Sequence, residues 1–176
     1  MPPPVRAAGE FGLSYRRKTE TDLPFIERLY RTTREEELAL TGWPEEFKQQ
    51  FIAQQQFAQN RHFELAYPNA EWLLIERRGA PIGRLYVAER SAELWLIDIA
   101  LLPEARGGGL GAAVLNDLLE QGRVLGKPVG LTVFKTNPAR RLYERLGFVK
   151  VDDGGAYDRM EWRPDGASAA ADRGAG

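Results

Sequence analysis

The run Pro103-Glu104-Ala105-Arg106-Gly107-Gly108-Gly109-Leu110-Gly111 follows an apolar segment, residues 94–102, and opens an amphipathic one, residues 110–125. A glycine-rich turn between a strand and a helix sets bare backbone N–H groups at the positive end of the helix dipole, a cradle for phosphate oxygens. Glycine removes the Cβ atoms that would hold an anion away, and Arg106 adds a permanent cation with a planar fork of donors. A phosphate-bearing ligand is therefore expected, with Arg106, Gly107, Gly108, Gly109, Leu110 and Gly111 around it. A P-loop is excluded, because Gly111 precedes Ala112 and Ala113 where Lys and Ser or Thr are required. Gly107-x-Gly109-x-x-Ala112 also fits a dinucleotide fingerprint, but the following strand candidate, Val129–Phe134, ends in Lys135 and Thr136 with no ribose-binding carboxylate. A nucleotide-dependent oxidoreductase is thereby weakened and left as the remotest alternative.

Residues 137–148, Asn-Pro-Ala-Arg-Arg-Leu-Tyr-Glu-Arg-Leu-Gly-Phe, read as a short helix with both ends marked. Asn137 suits an N-cap, Pro138 the first helical position and Gly147 a left-handed stop. In this order the two segments resemble the GCN5-related N-acetyltransferase (GNAT) superfamily. Its first motif, Q/R-x-x-G-x-G/A, is met by Arg106, Gly109 and Gly111. Its second, an Asn followed by a Tyr and a Gly-Phe pair, is met by Asn137, Tyr143, Gly147 and Phe148. The resemblance is specific over residues 93–150 and compatible over 12–163.

Whole-chain properties agree with one enzyme-sized domain. At 176 residues the chain is long enough to bury roughly two-thirds of its unfolded surface. Its 24 Lys and Arg against 25 Asp and Glu give no reason to expect nucleic-acid binding. The absence of cysteine excludes disulfides and thiolate chemistry, and the single histidine, His62, argues against a His-based metal site or a Ser-His-Asp triad. No apolar run reaches membrane-helix length and no signal peptide is recognisable, so a cytoplasmic protein is expected. Residues 1–10, with three prolines, and residues 164–176, rich in Gly and Ala, are expected to be disordered tails flanking a domain over 11–163.

The elements that must position the motifs follow from periodicity. Leu13–Arg17 reads as a weak strand. Asp22 caps a helix expected to run to about Leu40 with Phe25, Leu29 and Thr33 on one face. A second helix from Pro44 to about Asn60 places Phe47, Phe51 and Ala58 together. Residues 72–77 and 82–89 form a hairpin across Arg78-Gly79-Ala80, and residues 93–102 form the central strand. A helix over 110–125 carries Leu110, Val114, Leu115, Leu118 and Leu119 on its apolar side, ended by Gly126 and Pro128. Residues 148–152 and 156–162 make a last hairpin. The resemblance implies an α/β fold: a mixed, mainly antiparallel sheet flanked by helices on both faces, the acyl-CoA N-acyltransferase fold.

The resemblance also implies the chemistry. Acetyl-CoA would lie where the strand ending at Leu102 and the strand starting at Val129 splay apart. Its diphosphate would lie on the amides of residues 106–111 and its pantetheine arm along Ile99, Ala100 and Leu101. Asn137 is divided between a ligand contact and a sufficient role as cap. Arg140 is a further cofactor candidate. Acyl transfer needs a neutral amine, and an alkylamine with a pKa near 10.4 is mostly protonated at neutral pH. Asp98 is the candidate base: its carboxylate sits in the apolar run Leu94-Trp95-Leu96-Ile97-Asp98-Ile99, and strand alternation puts it on the face of Leu96 and Ala100. The alternative is an ion pair with a neighbouring arginine such as Arg84. Glu93 is a weaker candidate. Tyr143 stands where the family places its tyrosine acid, the alternative being a packed aromatic.

For the acceptor, a small-molecule amine, amino acid or peptide N-terminus, the pocket candidates are Trp43, Arg84, Tyr86 and Asp153, with Asp152 and Asp158 beside the last. Trp43 as a loop anchor and the aspartates as turn formers compete with those roles. A non-catalytic acyl-CoA sensor would carry the same motifs except at the catalytic positions. Homodimer formation, common in the family, is a further expectation from the resemblance.

Overall fold

The computed structural model describes residues 1–164. A helical turn α1 (Ala7–Glu10) precedes strand β1 (Leu13–Arg17), and a 3-10 turn (Glu20–Asp22) leads into α2 (Leu23–Thr32), α3 (Glu35–Leu40) and α4 (Glu45–Ala66). Three strands follow, β2 (Glu71–Arg77), β3 (Ala80–Glu89) and β4 (Leu94–Leu101), then α5 (Leu110–Leu125), β5 (Val129–Phe134), α6 (Arg140–Arg145), β6 (Val149–Gly154) and β7 (Tyr157–Trp162). The strands form one sheet in the order β1-β2-β3-β4-β5-β7-β6. Every pairing is antiparallel except β4 with β5.

Helices cover both faces. On one side Leu110, Val114, Leu115 and Leu118 of α5 and Tyr143 of α6 pack with Leu85, Leu96, Leu131 and Met160 of the sheet. On the other, α4 lies over β2 and β3, where Phe63 meets Trp72 and Tyr86. Arg78 (φ 52°) and Gly79 (φ 76°) both take the left-handed conformation that a tight β2–β3 hairpin requires.

Two departures from regular pairing create the site. The parallel β4–β5 register holds only at Leu94↔Val129 and Trp95↔Gly130, after which the strands part. In β4, Tyr86 faces Asp98 and Val87 faces Leu96, so Ile97 is an extra, bulged residue. A bulge resets strand alternation. Leu96 therefore shares the α5 face with Ile99 and Leu101. Asp98 and Ala100 turn to the α4 face with their cross-strand neighbours Tyr86 and Arg84. The expectation that Asp98 shares a face with Leu96 is corrected accordingly.

Three further expectations are corrected. The helix from Asp22 to Leu40 is broken at Thr33 and Arg34, whose amides bond back to the carbonyls of Tyr30 and Arg31. Its inward residues are Ile26, Leu29 and Tyr30 rather than Phe25 and Thr33. The helix α4 runs on to Ala66 and turns Ile52 and Gln56 inward, leaving Phe47 exposed. Residues 1–10 are docked, not loose. Asp117 of α5, itself buried, accepts the amides of Arg6 (3.2 Å), Ala7 (2.7 Å) and Ala8 (3.3 Å) and the hydroxyl of Tyr15 (2.8 Å). The segment is thus held by its backbone, with Ala8 fully buried against α5. The expected tail over 164–176 lies, from residue 165 on, outside the described residues.

Candidate functional site

A cleft of about 590 Å3 opens where β4 and β5 part, walled by Ile99, Ala100 and Leu101, by Gly107, Gly109 and Gly111, and by Asn137 and Tyr143. The amide of Leu102 bonds back to Ile82 in β3 (2.8 Å). Strand alternation then points the N–H and C=O of Ile99 and Leu101 away from β3, into the gap that β5 has left.

The turn between β4 and α5 supplies a second set of free donors. The amide of Arg106 bonds to Pro103 and that of Ala113 to Gly109, but among the described residues none of the amides from Gly107 to Ala112 has an acceptor. Gly107 (φ 77°) and Gly109 (φ 81°) hold the left-handed conformation that aims this set of N–H groups together. Gly108 and Leu110 do not line the cleft. They contribute only main chain, the Leu110 side chain being buried in the core. The donors and the helix dipole converge on one place, which fits an anion with several oxygens.

Arg106 does something other than expected. Its Nε donates to the carbonyl of Leu101 (2.9 Å) and its Nη2 reaches Thr32 (3.4 Å), so it braces the turn against β4. Asn137 lines the cleft, while its Oδ1 accepts the amide of Ala139 (2.9 Å). The helix itself starts only at Arg140, so Asn137 caps the turn before α6 rather than the helix proper. Arg140 is not in the cleft wall: it pairs with Glu144 (3.0 Å) and with buried Asp158.

Tyr143 is 7% exposed and lies edge-on to Phe148. Burial, and secondarily the charge of Asp98, push its hydroxyl up to about 12. Asp98 is a quarter exposed; its Oδ2 accepts Arg84 Nε at 2.6 Å. Arg84 is 2% exposed, lies over the ring of Tyr86 and donates through Nη2 to Gln59 of α4 (3.0 Å). Desolvation opposes its charge, but Asp98 and Tyr86 together outweigh it and the guanidinium is held more firmly protonated. Tyr86 is fully buried, and burial pushes its hydroxyl up to about 12.

The structure thus brings Tyr143, Ile99, Ala100, Leu101, Asn137, Gly107, Gly109 and Gly111 into one cleft, with Asp98, Arg84 and Tyr86 grouped on the opposite sheet face and outside its lining. It does not bring in the other acceptor candidates. Trp43 packs edge-on against Phe51 at 5.4 Å. Asp153 pairs with Lys135 (2.6 Å) and Lys150 (2.8 Å), which with a backbone bond hold its carboxyl far below the usual range. Glu93 pairs with Arg90 (3.0 Å) and Arg159 (2.8 Å). Thr33 and Arg145 line the cleft unannounced. Spacing carried a signal for Arg145: Leu142 and Arg145 stand three residues apart on α6, on one helical face.

A sheet that parts beside a strand–glycine turn–helix unit, closed from below by a second helix carrying a buried tyrosine, defines an acyltransferase architecture. The chain matches the acetyltransferase (GNAT) family model over residues 26–148. It belongs to that family and is an acyltransferase. It is 41% identical over 61 residues to the [ribosomal protein bS18]-alanine N-acetyltransferase of Haemophilus influenzae, a match covering 34% of this chain and 42% of the relative. The match therefore spans about two-fifths of that relative's length. Among solved structures, the PaiA N-acetyltransferase of Thermoplasma acidophilum in complex with coenzyme A superposes with a TM-score of 0.64 at 18% identity, over 86% of this chain and 98% of that one. Ard1 of Thermoplasma volcanium gives 0.59 at 19% identity, over 86% and 97%. These likenesses establish the fold.

Proposed function

We propose that the protein moves an acetyl group from acetyl-CoA to a primary amine, and that the acceptor is the N-terminus of a peptide. The observation that carries the first half is the set of acceptor-less amides from Gly107 to Ala112 beside the open edge of β4. A diphosphate matches the first and an amide-bearing arm the second. That the structurally similar PaiA N-acetyltransferase was solved in complex with coenzyme A supports the same reading. The second half rests on the relative named as a [ribosomal protein bS18]-alanine N-acetyltransferase, whose acceptor is an alanine of a protein.

When bound, acetyl-CoA supplies the activated acyl group and a thiol leaving group. The chain's own residues do the rest. Ile99, and Leu101 through its N–H, offer main-chain groups that fix the arm in the gap, while Arg106 bonds the Leu101 carbonyl and holds the turn against β4. Asp98 presents a carboxylate at the opposite face, fixed by Arg84, where an amine approaching from that side can pass on its proton directly or through water. Tyr143 offers its hydroxyl from the α6 side. With that hydroxyl near 12 and a thiol near 8.5, full proton transfer to sulfur would run uphill by about 5 kcal/mol. Tyr143 therefore serves by donating a hydrogen bond to the departing sulfur, which preorganised donors make worth a few kcal/mol.

The test is thiol release from acetyl-CoA with a panel of peptides beginning in alanine, free amino acids and polyamines. Release with the alanine peptides supports the reading. Release with polyamines alone redirects the acceptor class, and no release with any amine returns the chain to the sensor reading.

A further inference from the structure

Two charged residues line the cleft, and both are arginines, Arg106 and Arg145. Arg106 is committed to Leu101 and Thr32. Among the described residues Arg145 has no ion-pair or hydrogen-bond partner, and neither has Arg141 one turn before it on α6. The carboxylate that α6 itself carries, Glu144, is taken by Arg140. A cation in the last turn of a helix is favoured by the dipole, which accounts for an arginine there but not for one that walls the cleft. Two like charges four residues apart also repel by a few tenths of a kcal/mol unless an anion sits with them.

Coenzyme A carries three phosphate groups. The diphosphate is matched by the amides of Gly107 to Ala112, which need no cation. We propose that Arg145, supported by Arg141, is the subsite for the third, the 3′-phosphate on the ribose, and makes the protein specific for the phosphorylated nucleotide end of its substrate. This inference rests on the acetyl-CoA reading. A phosphate monoester is close to a dianion at neutral pH, and the guanidinium fork matches its oxygens in pairs. Arg145 is exposed yet lines the same cleft as the glycine turn, so it is placed for a charged group at the solvent-facing end of a ligand held there.

The experiment compares coenzyme A with 3′-dephospho-coenzyme A by calorimetry on the full chain. The wild type is expected to bind the dephosphorylated form about tenfold more weakly, the value of one charge-assisted contact at a half-open site. Arg145→Gln is expected to lose about that factor for coenzyme A and nothing for the dephosphorylated form, and Arg145→Lys to keep part of the discrimination. Discrimination of less than about twofold by the wild type would overturn the proposal without touching the cofactor assignment. Equal loss for both ligands in Arg145→Gln would overturn it too, moving the arginine to the diphosphate. No binding of either ligand to the wild type would remove the acetyl-CoA reading itself. The wild-type comparison stands even if a variant fails to fold.

Discussion

Gly109 is where fold and ligand make opposite demands, and two substitutions there separate them. It is the left-handed residue before α5 (φ 81°), and a Cβ would meet only the Phe11 ring, at 3.7 Å, an ordinary contact. Gly109→Ala therefore folds, at a backbone cost of roughly 1–2 kcal/mol. Gly109→Asp carries the same backbone, which Asp tolerates better than Ala, and adds a carboxylate beside the unsatisfied amides of α5. Supplying the missing anion should recover roughly 1 kcal/mol, or a melting temperature about 2–4 °C above that of Gly109→Ala. For a diphosphate the same carboxylate is a competitor and a repulsive neighbour. At about 5 Å and an effective dielectric of 20, one pair of like charges is worth about 3 kcal/mol, or more than a hundredfold in affinity. The aspartate variant should thus be the more stable of the two and bind acetyl-CoA at least a hundredfold more weakly, as read by thermal melts and calorimetry on the same preparations. Equal affinity in both variants would refute the idea that these amides face an anion. Stability and affinity falling together would show that the turn had simply collapsed.

Tyr143→Phe should lower turnover at least tenfold with little change in acetyl-CoA affinity, since the ring remains and only the donor is lost; unchanged turnover would remove the hydroxyl from the reaction. The same variant tests the shift in its ionisation. A tyrosine raised from 10 to about 12 holds its proton more tightly when folded, so the stability it contributes is intact below pH 10 and is lost as pH climbs toward 12. That part of the alkaline loss, about 2–3 kcal/mol for a two-unit shift, should be missing from denaturant melts of Tyr143→Phe. Asp117→Ala should cost about 3 kcal/mol, because it strands the buried Ala8 amide and the Tyr15 hydroxyl, and should raise hydrogen exchange at Ala7 and Ala8. A variant with native exchange there would mean that something other than Asp117 holds the segment.

Much of this architecture was readable from spacing alone. The ends of β1, the apolar stripe and both glycine limits of α5, and the two hairpins follow directly from periodicity and turn residues. Spacing also gives the glycine-placed donors of the turn, whereas the sheet order and the cleft between the parting strands followed from the family resemblance. What escaped was set by tertiary geometry. The bulge at Ile97 has no composition signature, yet it decides which face Asp98 occupies. Residues 1–10 hold few large apolar groups and so read as a tail. Their anchor is a set of backbone amides on one carboxylate, and the sequence shows Asp117 only as one more polar position on a helix. The inward face of α4 carries Ile52 and Gln56, with Gln59 accepting Arg84, and leaves phenylalanines such as Phe47 outside, an orientation that the spacing of its aromatic residues does not show. Arg106 illustrates a different difficulty: a motif arginine beside a phosphate turn invites a ligand role, whereas its Nε donates to the carbonyl of Leu101 at the end of β4.

The central claim is that the amides from Gly107 to Ala112 grip the diphosphate of an acyl-thioester carrier. Backbone amide NMR with desulfo-coenzyme A tests it most directly. The account predicts saturable downfield shifts concentrated at Gly107, Gly109, Gly111 and Ala112, with smaller ones at Ile99. Binding that leaves those resonances in place and moves another region instead would contradict it.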